Sequence, residues 1–193
     1  MWTKAAMLSL QLTIVWLMLP GVAEAQNTPR AETANVAASP CYHKELEDLA
    51  FLEGNWTVAL STRLGDGQWE ETSATSEIKR DLHGCLLSER LAGSRQKRPF
   101  HVLSLFAFDN HSKLLQQVLT DSEHGLLALY QGRKNQEELV FDLPLIRDDG
   151  TKWIVRRAYF AVTPNSFSVE NRHSQDEGRT WRVVVKARYV LKK

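Results

Sequence analysis

The chain has 193 residues, 43% of them hydrophobic, and 24 lysines and arginines stand against 23 aspartates and glutamates for a formal net charge of +1. That length is enough for one domain with a real core, and the near-neutral balance gives no electrostatic reason to expect nucleic acid or an acidic membrane surface as partner. The two cysteines and six histidines show no Cys-x-x-Cys, His-x-His or His-Glu-x-x-His spacing, so the sequence carries no metal motif and no dithiol redox motif.

The first 25 residues read as a secretory signal. Lys4 supplies a positive start, Ala5 to Leu19 is an apolar run, and Pro20-Gly21 closes it before the small-residue cleavage site Ala23-Glu24-Ala25. The run falls short of the ~20 residues a spanning helix needs. The expectation is therefore an exported protein, periplasmic or secreted, with residues 1–25 removed. Residues 26–40 are rich in Ala, Asn, Thr and Pro without apolar periodicity and form a flexible leader. Residues 41–193 form the domain. Cys41 and Cys85 both lie in the exported part, and two thiols in an oxidising compartment favour a disulfide over a metal site or a nucleophile. Such a bridge is worth about 4 kcal/mol on the chain-entropy estimate.

After Cys41, "HKELEDLAFLEG" sets Leu46, Leu49 and Leu52 three apart with Phe51 beside them. This predicts one short amphipathic helix stopped at Gly54. Everything that follows reads as strand. Ten runs rich in β-branched and aromatic residues cover 56–63, 70–80, 85–92, 100–108, 114–121, 126–132, 138–143, 152–162, 166–173 and 180–191. Turn chemistry separates them, including "GDG", "DLHG", "DNHSK", "RDDG", "TPNS" and "QDEGR". The basic cluster Arg95, Lys97, Arg98 falls in one of these turns and reads as solvated. Ten antiparallel strands with short turns predict an all-β fold, a single up-and-down barrel whose first strand meets its last and leaves no edge.

Alternation assigns the faces. Trp56, Val58 and Leu60 share one side of the first strand, and Trp181, Val183, Val185, Ala187 and Tyr189 share one side of the last; both sets should point inward. "FHVLSLFAF" is apolar on both faces, so its outer side calls for a cover, with the short helix as candidate.

Gly54-Asn55-Trp56 after a short helix, with Arg188 on the last strand, resembles the lipocalin and wider calycin signature. The resemblance implies that Trp56 packs at the closed end of the barrel beneath Arg188. Over the chain, "FLEGNWTV", "GCLLSERLAG", "FDNHSKLLQQVLTDSEHG" and "DDGTKWIVRRAYFAVTPNSFSVENRHSQDEGRTW" resemble a family of secreted, lipocalin-like bacterial proteins of unknown function. Its landmarks fall on Cys41, Gly84-Cys85, Phe108-Asp109 and Ser174 to Trp181. "LAFLEG" departs from the commoner Asp-Phe-Trp before the glycine. The resemblance implies a fold and no reaction.

"SQDEGRTW", Ser174 to Trp181, also resembles the Asp-box repeat of sialidases. Each element of it serves a hairpin: Asp176 satisfies turn amides, Gly178 takes a positive φ, and Trp181 anchors the next strand. One copy cannot build a propeller, and a glycosidase reading is set aside.

No Gly-x-Ser-x-Gly elbow is present, and adjacent His173 and Ser174 should face opposite sides of a strand. Binding is the class the architecture favours, because a ten-stranded barrel is wider than the eight-stranded type that just holds a small ligand. Arg157 has the parity of Trp153, Val155 and Tyr159, so one arginine of the Arg156-Arg157 pair faces in. An inward arginine is costly unless it meets an internal carboxylate such as Glu89 or awaits an acidic ligand. Asn171 and His173 could complete such a site at the mouth, with Tyr159 beside it. The expected partner is a small, partly hydrophobic molecule, neutral or anionic. Three alternatives stay open: a small isomerase-like enzyme using an inward acid and histidine, a haem-binding barrel with His173 as axial ligand, and a barrel simply filled by its own side chains.

Overall fold

The computed structural model describes residues 41, 43–135 and 137–193; the expected signal (1–25) and leader (26–40) lie outside the described residues. Ten strands follow one another: β1 (Gly54–Arg63), β2 (Trp69–Asp81), β3 (Leu86–Arg95), β4 (Arg98–Asp109), β5 (Leu114–Asp121), β6 (Ala128–Asn135), β7 (Glu138–Ile146), β8 (Lys152–Thr163), β9 (Ser166–Ser174) and β10 (Arg182–Leu191). Each pairs antiparallel with its neighbour, and β1 closes on β10 from Trp56–Leu191 to Thr62–Val185. The barrel and the strand order are those the turn spacing predicts.

The segment Lys44–Leu52 is a 3-10 helix. Residues three apart eclipse one another in that geometry, so the spacing of Leu46, Leu49 and Leu52 makes one apolar stripe, and all three are fully buried. The stripe plugs the barrel end where β1 begins. Trp56 Nε1 donates to the Leu52 carbonyl at 2.8 Å, Arg80 joins Glu47 (3.0 Å) and Glu53 (2.8 Å), and the Cys41–Cys85 disulfide ties the helix to the foot of β3. Held there, the helix does not cover the outer side of β4, contrary to expectation. Its single stripe is spent on the barrel end, and Leu103 and Leu105 stay half-buried on the outside.

Two further expectations are corrected. The register of β9 and β10 shifts between Val183, which faces Arg172, and Val185, which faces Asn171. The extra residue reverses the alternation. Val185, Ala187 and Tyr189 point inward as expected, while Val183 and Trp181 turn to the outer side. There Trp181 lies over Arg156, whose guanidinium sits 4.0 Å from the indole centroid and is held by Asp142 through two bonds of 2.7 and 2.9 Å. Arg188, between the inward Ala187 and Tyr189, must face out. It is exposed, bonds Ser166 Oγ at 3.3 Å, and does not stack on Trp56.

The helix-covered half is packed solid by aromatic rings. Phe167 meets Trp56 edge-on at 4.9 Å and stacks on Tyr189 at 4.3 Å, while Phe106, Phe141 and Tyr159 contact one another edge to face at 5.7 to 6.1 Å. Gly132 makes room for Phe141: a Cβ there would lie 2.5 Å from its ring. Among the described residues no helix is long and apolar enough to cross a membrane.

Candidate functional site

Polarity enters the interior halfway along the barrel. Glu89 on β3 is only 2% exposed and accepts three hydroxyls: Ser76 (3.0 Å), Ser104 (3.0 Å) and Tyr189 (2.9 Å). Strand pairing explains the convergence, since Ser104 faces Glu89 directly across β3 and β4, and Ser76 comes from the adjacent β2. Burial first, and then the Glu89 carboxylate, raise the Tyr189 phenol well above its ordinary value, so it stays a donor.

Arg157 faces in, as its parity predicts, and is 9% exposed. Among the described residues it forms no ion pair; Glu89 satisfies itself with hydroxyls instead. Its hydrogen bond runs from Nε to Tyr159 Oη at 3.4 Å, and Gln117 Nε2 donates to the same phenol at 3.1 Å. Among the described residues the Arg157 terminal nitrogens have no hydrogen-bond partner. Burial pulls its pKa down, but Tyr159, Glu89, Tyr189 and Tyr130 together outweigh burial and raise it, so the group is a permanent cation.

Above Arg157 the open half holds a cavity of about 440 Å³. Its walls are apolar: Phe100, Val102, Leu119, Leu143, Val155 and Val185. Its buried polar groups are Arg157 (β8) and Tyr130 (β6) with Asn171 (β9) beside them, and Arg95, Asp121, Glu123, His124 and His173 line it as well. Tyr130 is buried, which raises its pKa against the pull of Arg157, and no protein partner for its hydroxyl is found among the described residues. A smaller void of about 80 Å³ lies between Glu89 and Arg157 and shares Arg157 and Asn171 with the larger cavity. The larger volume and its mix of apolar and polar walls match ligand sites, which run roughly 300–1,000 Å³.

His173 shares the inward side of β9 but sits at the rim, its ring 5.7 Å from Trp153. Desolvation, then Arg182, lower its pKa, so the neutral ring is favoured. It lines the cavity edge with Asn171 and lies apart from Glu89, whose partners are Ser76, Ser104 and Tyr189. The acid–histidine contact at this end is instead Asp121 with His124, at 3.1 Å. Asp121 also accepts the backbone N–H of Glu123 and of His124, so it works as turn chemistry. The basic turn read as solvated contributes one residue here. Arg95 pairs with Glu123 at 2.5 Å, stacks on Phe100 at 5.1 Å, and sits at the rim of the mouth.

At the same end Asp176 accepts from Thr180 N–H (2.8 Å), Thr180 Oγ1 (2.6 Å) and Ser174 Oγ (2.8 Å), and Gly178 takes φ 89°. This is the hairpin corner that the motif's residue types imply. The sequence reading missed Tyr130 and Gln117. Tyr130 was legible from its parity with Ala128 and Gly132, whereas Gln117 is a polar residue on an inward face with no local sign of its Tyr159 partner.

The family model "Protein of unknown function (DUF1579)" matches residues 42–190. The chain belongs to that family. The match runs from the helix to the end of β10, so every site residue named above falls within it. Among solved structures, the crystal structure of Rv2717c from M. tuberculosis is similar at TM-score 0.56 and 13% identity, covering 80% of this chain and 99% of that one. The S-type phycobiliprotein lyase CPES from Guillardia theta is similar at TM-score 0.51 and 11% identity, covering 79% and 95%. At such identities the likeness carries the barrel fold alone. No curated protein matches the chain by sequence.

Proposed function

We propose that the barrel binds a small, largely hydrophobic molecule carrying an anionic group, with Arg157 meeting the anion and Tyr130 and Asn171 flanking it. The observation that carries this reading is a buried, permanently charged guanidinium that forms no ion pair among the described residues, at the floor of a cavity with large apolar walls. An unpaired buried charge is expensive, and such groups persist where a partner arrives from outside. Packed aromatic rings below and apolar walls above leave a ligand's body only the open half to occupy.

We further propose that the chain is exported and works outside the cytoplasm. The Lys4-to-Ala25 segment and the Cys41–Cys85 bridge support this.

Native mass spectrometry of the mature protein purified from its own source, with an absorbance spectrum, tests the binding reading. A co-purifying anionic mass that leaves on denaturation, and that is lost from Arg157→Leu, is expected. A protein that arrives empty and shows no affinity for any amphiphilic anion would overturn it. A Soret band lost from His173→Ala would replace it with haem binding.

A further inference from the structure

One seam of the barrel wall is incomplete. Between β6 and β7 the paired residues run from Asn135–Glu138 only as far as Gln131–Asp142. Both strands continue beyond that point towards the open end, β6 back to Ala128 and β7 on to Ile146. Each stays paired on its other side, β6 to β5 as far as Ala128 and β7 to β8 as far as Ile146. Beyond Gln131–Asp142 the two strands thus share no ladder pairs. β2 and β3 also stop short, at Ala74–Gly93, but Glu70 bridges them by accepting the Gln96 N–H at 2.7 Å. Between β6 and β7 the Arg133–Asp142 ion pair at 2.8 Å marks the edge of the paired stretch, and no hydrogen bond or ion pair spans the two strands beyond it among the described residues.

The seam opens into the cavity, and its lips are apolar. Ala128 and Tyr130 from β6 and Leu143 and Leu145 from β7 line the cavity on either side of it. Continuing the register places Leu129 opposite Pro144 and Leu127 opposite Ile146. Leu126, Leu127 and Ile146 are 59%, 73% and 76% exposed, a concentration of large aliphatic side chains in water that needs a reason. The axial mouth is different. The Arg95–Glu123 ion pair stands on its rim above β4 and lines the same cavity. A hydrophobic molecule leaving along the axis passes beside a charged pair, and one leaving sideways meets Ala128, Tyr130 and aliphatic side chains.

We propose that the seam between β6 and β7 is a lateral portal, the route by which a hydrophobic ligand reaches and leaves the Arg157 cavity. This rests on the binding reading above and adds the path. An unpaired seam with apolar lips also narrows the ligand class to molecules whose body is hydrophobic enough to gain from leucine contact on the way in; a small polar metabolite would gain nothing from it.

The test locks the seam. The native cysteines are paired, so Leu129→Cys with Pro144→Cys adds the reactive thiols to the full chain, and a short bismaleimide bridges them. Stopped-flow fluorescence with anilinonaphthalene sulfonate then reads association and dissociation before and after linking. The linked protein is expected to exchange the probe at least ~10-fold more slowly in both directions with its Kd changed little, since a gate alters rates and leaves the bound state alone. The exposed pair Leu127→Asp with Ile146→Asp, which does not depend on linking, should slow exchange several-fold. Unchanged rates in the linked protein would overturn the portal. So would faster exchange in Arg95→Ala with Glu123→Ala while both seam variants stay at the wild-type rate, which would place passage at the mouth. Wild-type protein that binds no probe at all would overturn the binding reading itself, a separate result.

Discussion

The two halves of this barrel are made from the same ten strands with the same in–out alternation, yet they do opposite things with their inward positions. At the helix-covered end the inward side chains are Trp56, Phe106, Phe141 and Phe167, and the helix adds Leu46, Leu49 and Leu52; all are buried to the last few per cent. At the open end the inward positions carry smaller residues and isolated polar groups, and a cavity of about 440 Å³ remains. Between them lies a belt holding Glu89, Gln117, Tyr159 and Arg157. The lesson is a division of labour along one axis: aromatic volume at one end provides the stability that lets the other end keep space and an unpaired charge.

The largest expected effect tests the packed half. Trp56→Ala removes an indole that is 1% exposed, its edge contacts with Phe167 and Tyr189, and its bond to the Leu52 carbonyl. It should cost about 3–5 kcal/mol of unfolding free energy by denaturant titration. Cys41→Ser with Cys85→Ser should cost about 4 kcal/mol through release of the closed loop, read the same way. If either change costs less than one mutation at the rim, the division of labour is wrong.

Arg157→Leu asks the opposite question of the belt. Replacing a buried cation that has no ion pair among the described residues by an apolar side chain removes both the desolvation cost and the attraction of Tyr159 and Glu89, so stability should stay within about 1 kcal/mol of wild type. Affinity for an amphiphilic anion should fall about 10–100-fold, a loss of roughly 1.4–2.8 kcal/mol of binding. Calorimetry of both quantities on one variant checks the pairing of outcomes. A large loss of stability would mean that Arg157 balances Glu89 structurally.

These two regions were not equally legible in the sequence. The packed half follows from local chemistry: leucines three apart, a Trp after a glycine, and aromatic runs at alternating positions all report burial without needing to know their neighbours. Arg157 was also readable, because parity with Val155 and Tyr159 assigns its face. What parity could not supply was who meets whom. Whether Glu89 pairs with Arg157 depends on the lateral placement of β3 relative to β8, which lie on opposite sides of the barrel, and the structure gives Glu89 three hydroxyls instead. Trp181 shows the other limit. A single extra residue near Val184 reverses every assignment before it, and nothing in "RTWRVVVKARY" marks where the bulge falls. Arg188 was misplaced for a different reason: its stacking on Trp56 came from the resemblance, while its own alternation with Ala187 and Tyr189 pointed outward.

The rim offers a pH test that sharpens the contrast. His173 has a lowered pKa because desolvation beside Trp153 and the nearby Arg182 disfavour its charged form. The unfolded chain therefore binds this proton more readily. Stability is complete above the ordinary histidine pKa of about 6.5 and declines as pH falls through it towards the lowered folded value. His173→Gln should flatten the decline below neutrality in a series of melting curves. Trp56, Phe106, Phe141 and Phe167 of the packed half carry no titrating group and should contribute none of it.

The smallest effect belongs to the hairpin. Thr180 and Ser174 hold the Asp176 carboxyl at a pKa of about 2, with Thr180 contributing most through its side chain and its N–H. The sign is that of a depressed acid: the stabilisation is present above the ordinary value of 3.8 and is lost as pH falls from there through about 2. Asp176→Asn keeps an acceptor for Thr180 N–H but removes the charge. Its melting temperature should drop slightly at neutral pH and converge on wild type in strong acid. Because Asp176 sits on the open end and touches neither Arg157 nor the seam, its loss should leave probe affinity untouched. An affinity change in this variant would mean that the hairpin is part of the binding site, and that the open half is more tightly coupled than its sparse contacts suggest.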